Sequence, residues 1–421
     1  MQTIHETTAK AETAVLVGIE DDRDRISIEA SLDELEELAA TAGAVVKGRL
    51  TQKRERPDVR TFLGSGKLDE LQDLVSLHEV DTIIFDSELS PAQLRNLSKV
   101  FSQKVIDRTL LILDIFAMRA NSAEGKVQVE LAQLKYRLSH LSGMGKALSR
   151  LGGGIGTRGP GETKLENDRR TIRDRISALN RELKEMRERR SVLREKRERT
   201  GIPVASMVGY TNAGKSTLLN MLTGAGVLAE DKLFATLDTT TRKVELPGGA
   251  EILYTDTVGF IQKLPHQLVQ AFRATLEELS HADMLVHVVD VSNPSRDEQM
   301  AVVYDTLKDL KCFDKPVITV FNKIDREAER PLPADPYAVK VTTLSALTGQ
   351  GKDAFLQALE DVVKSFKASM TVLVPYTEGR LIGLIHKSCD ILEEAHEEAG
   401  VRFVLYANEE MANRLAGYLA K

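Results

Sequence analysis

Eight residues, "GYTNAGKS" at positions 209 to 216, constrain the fold of this 421-residue chain more than any others. They fit G-x-x-x-x-G-K-[ST] through Gly209, Gly214, Lys215 and Ser216, after the apolar run "PVASMV" and before the helical pattern "STLLNMLTG". Such a loop leaves a buried strand and opens a helix, because its backbone N–H groups converge on phosphate at the positive helix end. The surrounding chain is therefore expected to be α/β, with a parallel sheet of apolar strands. Tyr210, Thr211, Asn212 and Ala213 complete the cradle. Lys215 is expected to reach the β- and γ-phosphates, and the Ser216 hydroxyl to ligate Mg2+.

Further elements follow in order. Asp256-Thr257-Val258-Gly259 ends the strand "EILYT", which puts Asp256 beside the metal and the Gly259 amide at the γ-phosphate. "FNKID" ends the strand "PVITV", so Asn322, Lys323, Ile324 and Asp325 fall where a base would lie. A carboxylate there accepts from guanine N1–H and the 2-amino group. Adenine offers neither donor, so ATP is rejected. Lys323 would lay its stem along the ring, and Ser345-Ala346-Leu347 supplies backbone amides as a third contact. This combination predicts GTP hydrolysis, with Lys215, Gly259 and a switch threonine in the catalytic roles. "LFATLDTTTRKV" offers Thr236, Thr239, Thr240 and Thr241 for the last role, and spacing does not choose among them.

The position after the D-x-x-G glycine, where Ras-like enzymes carry a water-orienting glutamine, is Phe260, followed by Ile261. Neither side chain can hydrogen-bond water. Either Gln262 takes over, or a partner orders the switches and hydrolysis by the free protein is slow.

Hydrophobic period divides the rest of the chain. Residues 1–118 alternate strands ("AVLVGI", "AVVKGRL", "DTIIFD", "KVIDR") with amphipathic helices, Ser31 and Ser90-Pro91 giving start signals. This predicts a small parallel sheet covered by helices. Over residues 119–200 the period becomes heptad-like. Val127, Leu131, Leu134, Leu138, Leu141 and Leu148 recur at spacings of 4, 3, 4, 3 and 7, as do Ile172, Ile176, Leu179, Leu183, Met186 and Leu193. An antiparallel helical hairpin is expected, with the glycine-rich segment 143–163 as a non-helical tip. The phosphate-loop domain spans 201–368. Residues 369–421 read as a small α+β unit in the order β-α-β-α.

Charge is uneven. Residues 126 to 200 hold 20 Lys and Arg against 10 Asp and Glu, a net of +10 in a chain of formal charge −6, so the remainder carries −16. A basic segment in an acidic protein predicts a localised polyanion contact. Two cysteines, Cys312 and Cys389, without metal-ligand spacing exclude a disulfide framework and predict no zinc site. The absence of a long apolar run or a secretory signal predicts a soluble, cytoplasmic protein.

The tip "GGGIGTRGPGE" contains a G-x-G-x-x-G through Gly154, Gly156 and Gly159, but a leucine-seam helix precedes it and Pro160 follows it. That context contradicts a dinucleotide loop. A plain hairpin tip remains, or a glycine-rich tip lying against RNA, with Lys146, Arg150, Arg158, Lys164, Arg169 and Arg170 as its basic contacts.

"GGGIGTRGPGETKLENDRR", followed by "GYTNAGKS", "FATLD", "DTVGF" and "NKID", closely resembles the HflX family of translational GTPases over almost the whole chain. The resemblance implies that the tip enters the peptidyl-transferase region of the large ribosomal subunit. It also implies that the protein splits ribosomes under stress, with a role in subunit maturation as the alternative. It aligns Phe234, Ala235, Thr236, Leu237 and Asp238 with a switch, which selects Thr236 as the second Mg2+ ligand. The expected partners are the large subunit and its rRNA, with no DNA and no membrane, acting as a monomer. "FLGSGKLDEL" is half a phosphate loop, Gly64 to Lys67, without the upstream glycine or a following Ser/Thr. It reads as a glycine turn opening a helix. The family's reputed ATP binding by its N-terminal region makes an ATP-dependent RNA remodelling activity the alternative.

Overall fold

The structure, a computed structural model, describes residues 11–21, 25–141, 160–198, 202–224, 233–234, 240–263, 278–326, 331–366, 368–407 and 409–420. Strands β1 (Thr13–Glu20), β2 (Val45–Lys53), β3 (Thr82–Phe85) and β4 (Lys104–Asp107) form an all-parallel sheet in the order β2-β1-β3-β4. Alternation of side chains along each strand supplies two cores. Ala14, Leu16, Ile84 and Ile106 face helices α1 (Ile28–Thr41) and α4 (Arg108–Arg119). Val15, Val17, Ile83 and Phe85 face α2 (Ser65–His78) and α3 (Pro91–Val100).

Ser90 begins α3 as expected, in a capping box with Gln93 and with Pro91 in the first turn. Ser31 does not begin α1. The cap is Ser27, whose hydroxyl accepts from the Ala30 amide at 3.2 Å. Burying Ile28 against the sheet extends the helix one turn toward the N-terminus, which leaves Ser31 inside it, buried.

Helices α5 (Ala123–Leu141) and α6 (Pro160–Glu198) form the basic hairpin. Val127 and Leu131 bury against Leu179 and Leu183, with Leu134, Ile176 and Met186 packed around them. Leu148 lies outside the described residues, as does the side chain of Leu193. The 39-residue α6 is about 58 Å long at 1.5 Å per residue. It starts at Pro160, earlier than the expected end of the tip at residue 163. Proline's fixed φ and missing N–H suit a first turn, so the Gly161 that follows it is carried inside the helix.

A six-stranded sheet follows in the order β10-β9-β8-β5-β7-β6. Its strands are β5 (Val204–Gly209), β6 (Thr240–Glu245), β7 (Glu251–Asp256), β8 (Met284–Asp290), β9 (Val317–Asn322) and β10 (Ala338–Thr343). Around it pack α7 (Lys215–Thr223), α8 (Arg296–Asp309) and α9 (Lys352–Ser365). The sheet is mixed, since β6 runs antiparallel to β7. β6 escaped the apolar-run criterion because it is an edge strand with only Val244 buried.

The C-terminal unit is β-α-β-β-α, one strand more than expected. β11 (Ala368–Val374), α10 (Gly379–Ser388), β12 (Asp390–Glu397), β13 (Gly400–Ala407) and α11 (Glu409–Leu415) build an antiparallel sheet in the order β11-β13-β12. The additional strand, "DILEEAHE", is acidic and irregular at Ile391/Glu393, which hides its alternation. No helix among the described residues is long and apolar enough to cross a membrane.

His287 lies in the middle of β8, buried, edge-on to Tyr304, with Nδ1 4.0 Å from the Asp335 carboxylate. Burial pushes its pKa down to about 4, against the pull of Asp335. Below about pH 6.5 the unfolded chain takes a proton that the folded chain refuses, so stability is full above that pH and is lost progressively toward pH 4. The loss from this group by pH 5 is about 2 kcal/mol. In chemical denaturation at stepped pH, His287→Phe should flatten the slope between pH 6.5 and 5; an unchanged slope assigns the acid sensitivity elsewhere.

Candidate nucleotide site and its switch segments

The phosphate loop joins β5 to α7, and glycine is required at two of its corners. Gly209 has φ +152°, and a Cβ there would run into the Val288 carbonyl of the adjacent β8. Gly214 has φ +94°, and a Cβ there would meet the Asn322 side-chain amide. Asn212 supplies a further left-handed residue at φ +60°. Lys215 is buried and folds back, its ammonium donating to the carbonyls of Gly209 at 3.1 Å and Tyr210 at 2.7 Å. Burial pushes its pKa down to about 8, offset in part by the nearby Asp256 carboxylate. Such a desolvated cation gains most from a polyanion placed in the loop. The Ser216 hydroxyl donates to Asp256 Oδ2 at 2.8 Å. A hydroxyl and a carboxylate this close are hard oxygen donors of the kind Mg2+ takes, so the residues fit the ion.

At the other end of the site, Asn322 ties three loops together. Its amide nitrogen donates to the Ala213 carbonyl and its oxygen accepts from the Ala346 amide, each at 2.9 Å. Asn322 and Ser345 are buried, whereas Asp325 and Leu347 are exposed at the rim. Ser345 shapes the third loop by accepting from Thr348 and Gly349. Lys323 has φ +65° and its ammonium pairs with Asp290 at 2.6 Å, which fixes the end of its side chain. The carboxyl ends of β5, β7 and β9 thus bring Gly209 to Ser216, Asp256 to Gly259, and Asn322 to Asp325 to one edge of the sheet.

Of the four switch threonines, Thr240 and Thr241 belong to β6, and the Thr241 hydroxyl is engaged with that of Thr255 at 3.0 Å. Ala235, Thr236, Leu237, Asp238 and Thr239 lie outside the described residues. Phe234, just before them, is buried edge-on against Phe116 of α4 with ring centroids 4.6 Å apart.

The second switch is pinned on both sides. The Thr257 hydroxyl donates to the Met207 carbonyl, and Val258 and Ile261 enter the core of the N-terminal sheet. A Cβ on Gly259 would come within 2.9 Å of the Lys215 ammonium and the Thr211 backbone, so the segment sits tight on the phosphate loop. Phe260 is buried in a core of the six-stranded sheet and bonds in register with Tyr210, donating to Gly209 O at 3.0 Å and accepting from Thr211 N at 2.8 Å. Gln262 does not reach for water. Its side-chain amide donates to Ser31 Oγ at 3.1 Å, and the residue is buried between two units.

Sequence reasoning missed the residues that receive this segment, namely Glu34, Asp86 and Arg108. The only available signal was an arginine at the head of the apolar "RTLLILDIF", where a charge has to find buried partners.

Of the basic residues proposed around the tip, Lys146, Arg150 and Arg158 lie outside the described residues, as does the side chain of Lys164. Arg169 closes the hairpin, donating to the Leu141 carbonyl at 3.1 Å, while Arg170 is exposed. In the N-terminal half-loop, the Gly64 amide is taken by Gln52 Oε1 at 2.9 Å and Lys67 pairs with Glu70 at 2.7 Å. Both groups that would face a phosphate are thus engaged.

Three family models match consecutive parts of the chain. They are a GTP-binding GTPase N-terminal region over residues 29–117, a GTP-binding GTPase middle region over 119–197, and a 50S ribosome-binding GTPase over 204–323. GTPase HflX of Lacrimispora saccharolytica is 52% identical, covering 96% of this chain and 94% of that protein. GTPase HflX of Caldanaerobacter subterraneus subsp. tengcongensis is 47% identical, covering 99% and 96%. A solved structure of a GTP-binding protein from the archaeon Sulfolobus solfataricus in complex with GDP aligns at 24% identity and a TM-score of 0.44, covering 84% of this chain and 99% of that one. With relatives this similar over nearly its full length, and a phosphate loop, D-T-V-G and N-K-I-D converging on one sheet edge, the chain belongs to the HflX family of GTPases.

Proposed function

We propose that this chain hydrolyses GTP to GDP and phosphate while bound to the large ribosomal subunit, and that it dissociates or recycles ribosomes under stress, with hydrolysis timing its release. The observation that carries the nucleotide half is Asn322, whose two hydrogen bonds lock the N-K-I-D loop onto both the phosphate loop and the Ser345–Leu347 loop. The Gly209–Ser216 backbone and Lys215 hold the phosphates. Ser216 and Thr236, with Asp256 behind Ser216, would hold Mg2+, which would neutralise the charge that develops on the phosphates. Asp325 reads the guanine edge, supported by the Ala346 and Leu347 amides. Water attacks the γ-phosphorus as its bond to the β-phosphate oxygen breaks, and Gly259 offers its amide to the γ-phosphoryl oxygens.

Two observations support the ribosomal half. The match to a 50S ribosome-binding GTPase model covers residues 204–323. The +10 segment is a hairpin whose long helix exposes Arg170 and several other charges. The engagement of Gln262 with Ser31 also agrees with slow hydrolysis by the free protein, because no side chain of the D-T-V-G-F-I-Q segment is left to orient water. A partner that orders the site gives up to ~10⁵-fold in known cases. That equals about 7 kcal/mol of barrier, more than one exposed contact provides.

Asp325→Asn should weaken GTP roughly 10- to 100-fold and shift preference toward xanthine nucleotides, because an amide can donate to the 2-oxo group. Unchanged affinity for a fluorescent GTP analogue would remove Asp325 from the base site. Arg158→Ala combined with Lys164→Ala should spare hydrolysis by the free protein, reduce its stimulation by large subunits and flatten the salt dependence of subunit binding. Equal loss in both hydrolysis assays would mean that the tip supports the fold instead. Sucrose-gradient profiles of ribosomes incubated with the protein and a non-hydrolysable GTP analogue test splitting directly. A gradient left with intact ribosomes would favour large-subunit maturation.

A further inference from the structure

The turn after β8 is built as tightly as the loops around the nucleotide site, yet it lies outside the phosphate loop, D-T-V-G and N-K-I-D. β8 and β9 run parallel with Asp290 opposite Asn322, and the Val291 amide donates to the Asn322 carbonyl at 3.1 Å. Val289, Val291, Met300 and Phe321 pack as one small core, with Ile324 against it. Arg296 opens α8 and is 3% exposed. Its guanidinium donates to the Val291 carbonyl at 2.8 Å and to the Pro331 carbonyl at 2.6 Å. The turn from Asp290 to Arg296 and the N-K-I-D loop are thus packed as one body.

Both oxygens of the Asp290 carboxylate are committed. Oδ1 accepts from the Ser292 amide at 3.0 Å and from the Ser292 hydroxyl at 2.6 Å, which fixes the direction of the group. Oδ2 takes the Lys323 ammonium at 2.6 Å. The two side chains are only 13% and 15% exposed, so this is not a surface pair that solvent screens. A half-buried ammonium requires a carboxylate. Its own loop carries another one, Asp325, two residues on and exposed at the rim.

We infer that Asp290 is a positioning residue for guanine selectivity, holding the Lys323 ammonium away from Asp325 so that the Asp325 carboxylate stays free to accept from the base. The reason is competition. Guanine offers two neutral donors, whereas an ammonium offers a full charge, and a carboxylate already satisfied by Lys323 gains little by exchanging it for the base. With its charge taken by Asp290, Lys323 presents its aliphatic stem to the ring. Charge balance across the site supports the same role. Burial lowers the Lys215 pKa and the Lys323 charge lowers it further, so a carboxylate that neutralises Lys323 also relieves the cation of the phosphate loop. The inference rests on the proposed reading of the guanine edge by Asp325.

Asp290→Asn keeps an oxygen for the Ser292 turn and removes the charge. Equilibrium binding of GTP, and of inosine triphosphate, which lacks the 2-amino group, should be measured on full-length Asp290→Asn, Lys323→Met and the double variant. In Asp290→Asn the GTP affinity should fall about 10-fold and the preference for GTP over inosine triphosphate should shrink to about twofold or less, because an Asp325 paired with Lys323 no longer reads the 2-amino group. KM for GTP should rise while kcat stays within about twofold, the signature of binding lost equally from ground and transition states. Adding Asp290→Asn to Lys323→Met should change affinity and preference by no more than about twofold, since no ammonium remains to compete. An unchanged preference in Asp290→Asn would overturn the inference. So would an equal loss in the Lys323→Met background, which would mean that Asp290 acts only through the fold of its turn. Asp325→Asn, measured alongside, separates the two readings. If it leaves GTP affinity unchanged, the base site fails and this inference with it; if it weakens GTP while Asp290→Asn does not, only the role of Asp290 fails.

Discussion

A guanidinium with almost no access to water governs how the two α/β units of this protein meet. Arg108 could not be buried at the head of α4 without carboxylates and carbonyls around it, because an unpaired charge there would cost several kcal/mol. Glu34 and Asp86 come from the same unit, but the Gln262 carbonyl comes from the GTPase sheet. Satisfying one buried charge therefore fixes the position of the second switch. Burial raises the pKa of Glu34 against the pull of Arg108, as expected of a carboxylate whose charge depends on that partner. Apolar contacts complete the join. Tyr210, Leu233, Phe234, Val258 and Ile261 are in the core that α1, α4 and α5 build on the N-terminal sheet.

This join gives the nucleotide site an uneven mechanical character. The base end depends on contacts within one sheet edge, with Asn322 bridging loops that follow β5, β9 and β10. The end at which the γ-phosphate is proposed to lie is shared between units. Phe234 leans on Phe116, and Gln262 and Lys263 are held by Ser31, Asp86 and Arg108. The hairpin touches the six-stranded unit as well, since Arg190 of α6 pairs with Glu124 of α5 and lies 3.5 Å from Glu278.

Local patterns carried most of the architecture. The apolar runs "AVLVGI" and "DTIIFD" are strands buried on both faces, as read, and the heptad positions Val127, Leu131, Leu179 and Leu183 meet in the seam. What escaped was structure with little apolar signal. β6 and β12 are edge strands, polar or acidic, whose pairing is decided by a neighbour's free edge and not by their own composition. The true cap of α1 escaped for a related reason. Ser27 and Ser31 are equally good caps by type, and only the burial of Ile28 selects the first.

The phosphate loop, the D-x-x-G segment and N-K-I-D were readable from sequence because each contains its own geometry. Glycine must stand where a Cβ would strike Val288 or Asn322, and an asparagine must stand where it can both donate and accept. The sequence by itself thus determined the fold class, most of the order of strands and helices, and the loop expected to cradle a nucleotide. It also determined that Phe260 cannot guide water. Only the tertiary structure decided what Phe260, Ile261 and Gln262 do instead, since Phe260 packs beside β5, Ile261 enters the N-terminal core, and the Gln262 carbonyl accepts from Arg108, 154 residues away along the chain. Contacts at such separation leave no local periodicity. They exist because a charge was buried, and a buried charge takes its partners from wherever the fold brings them.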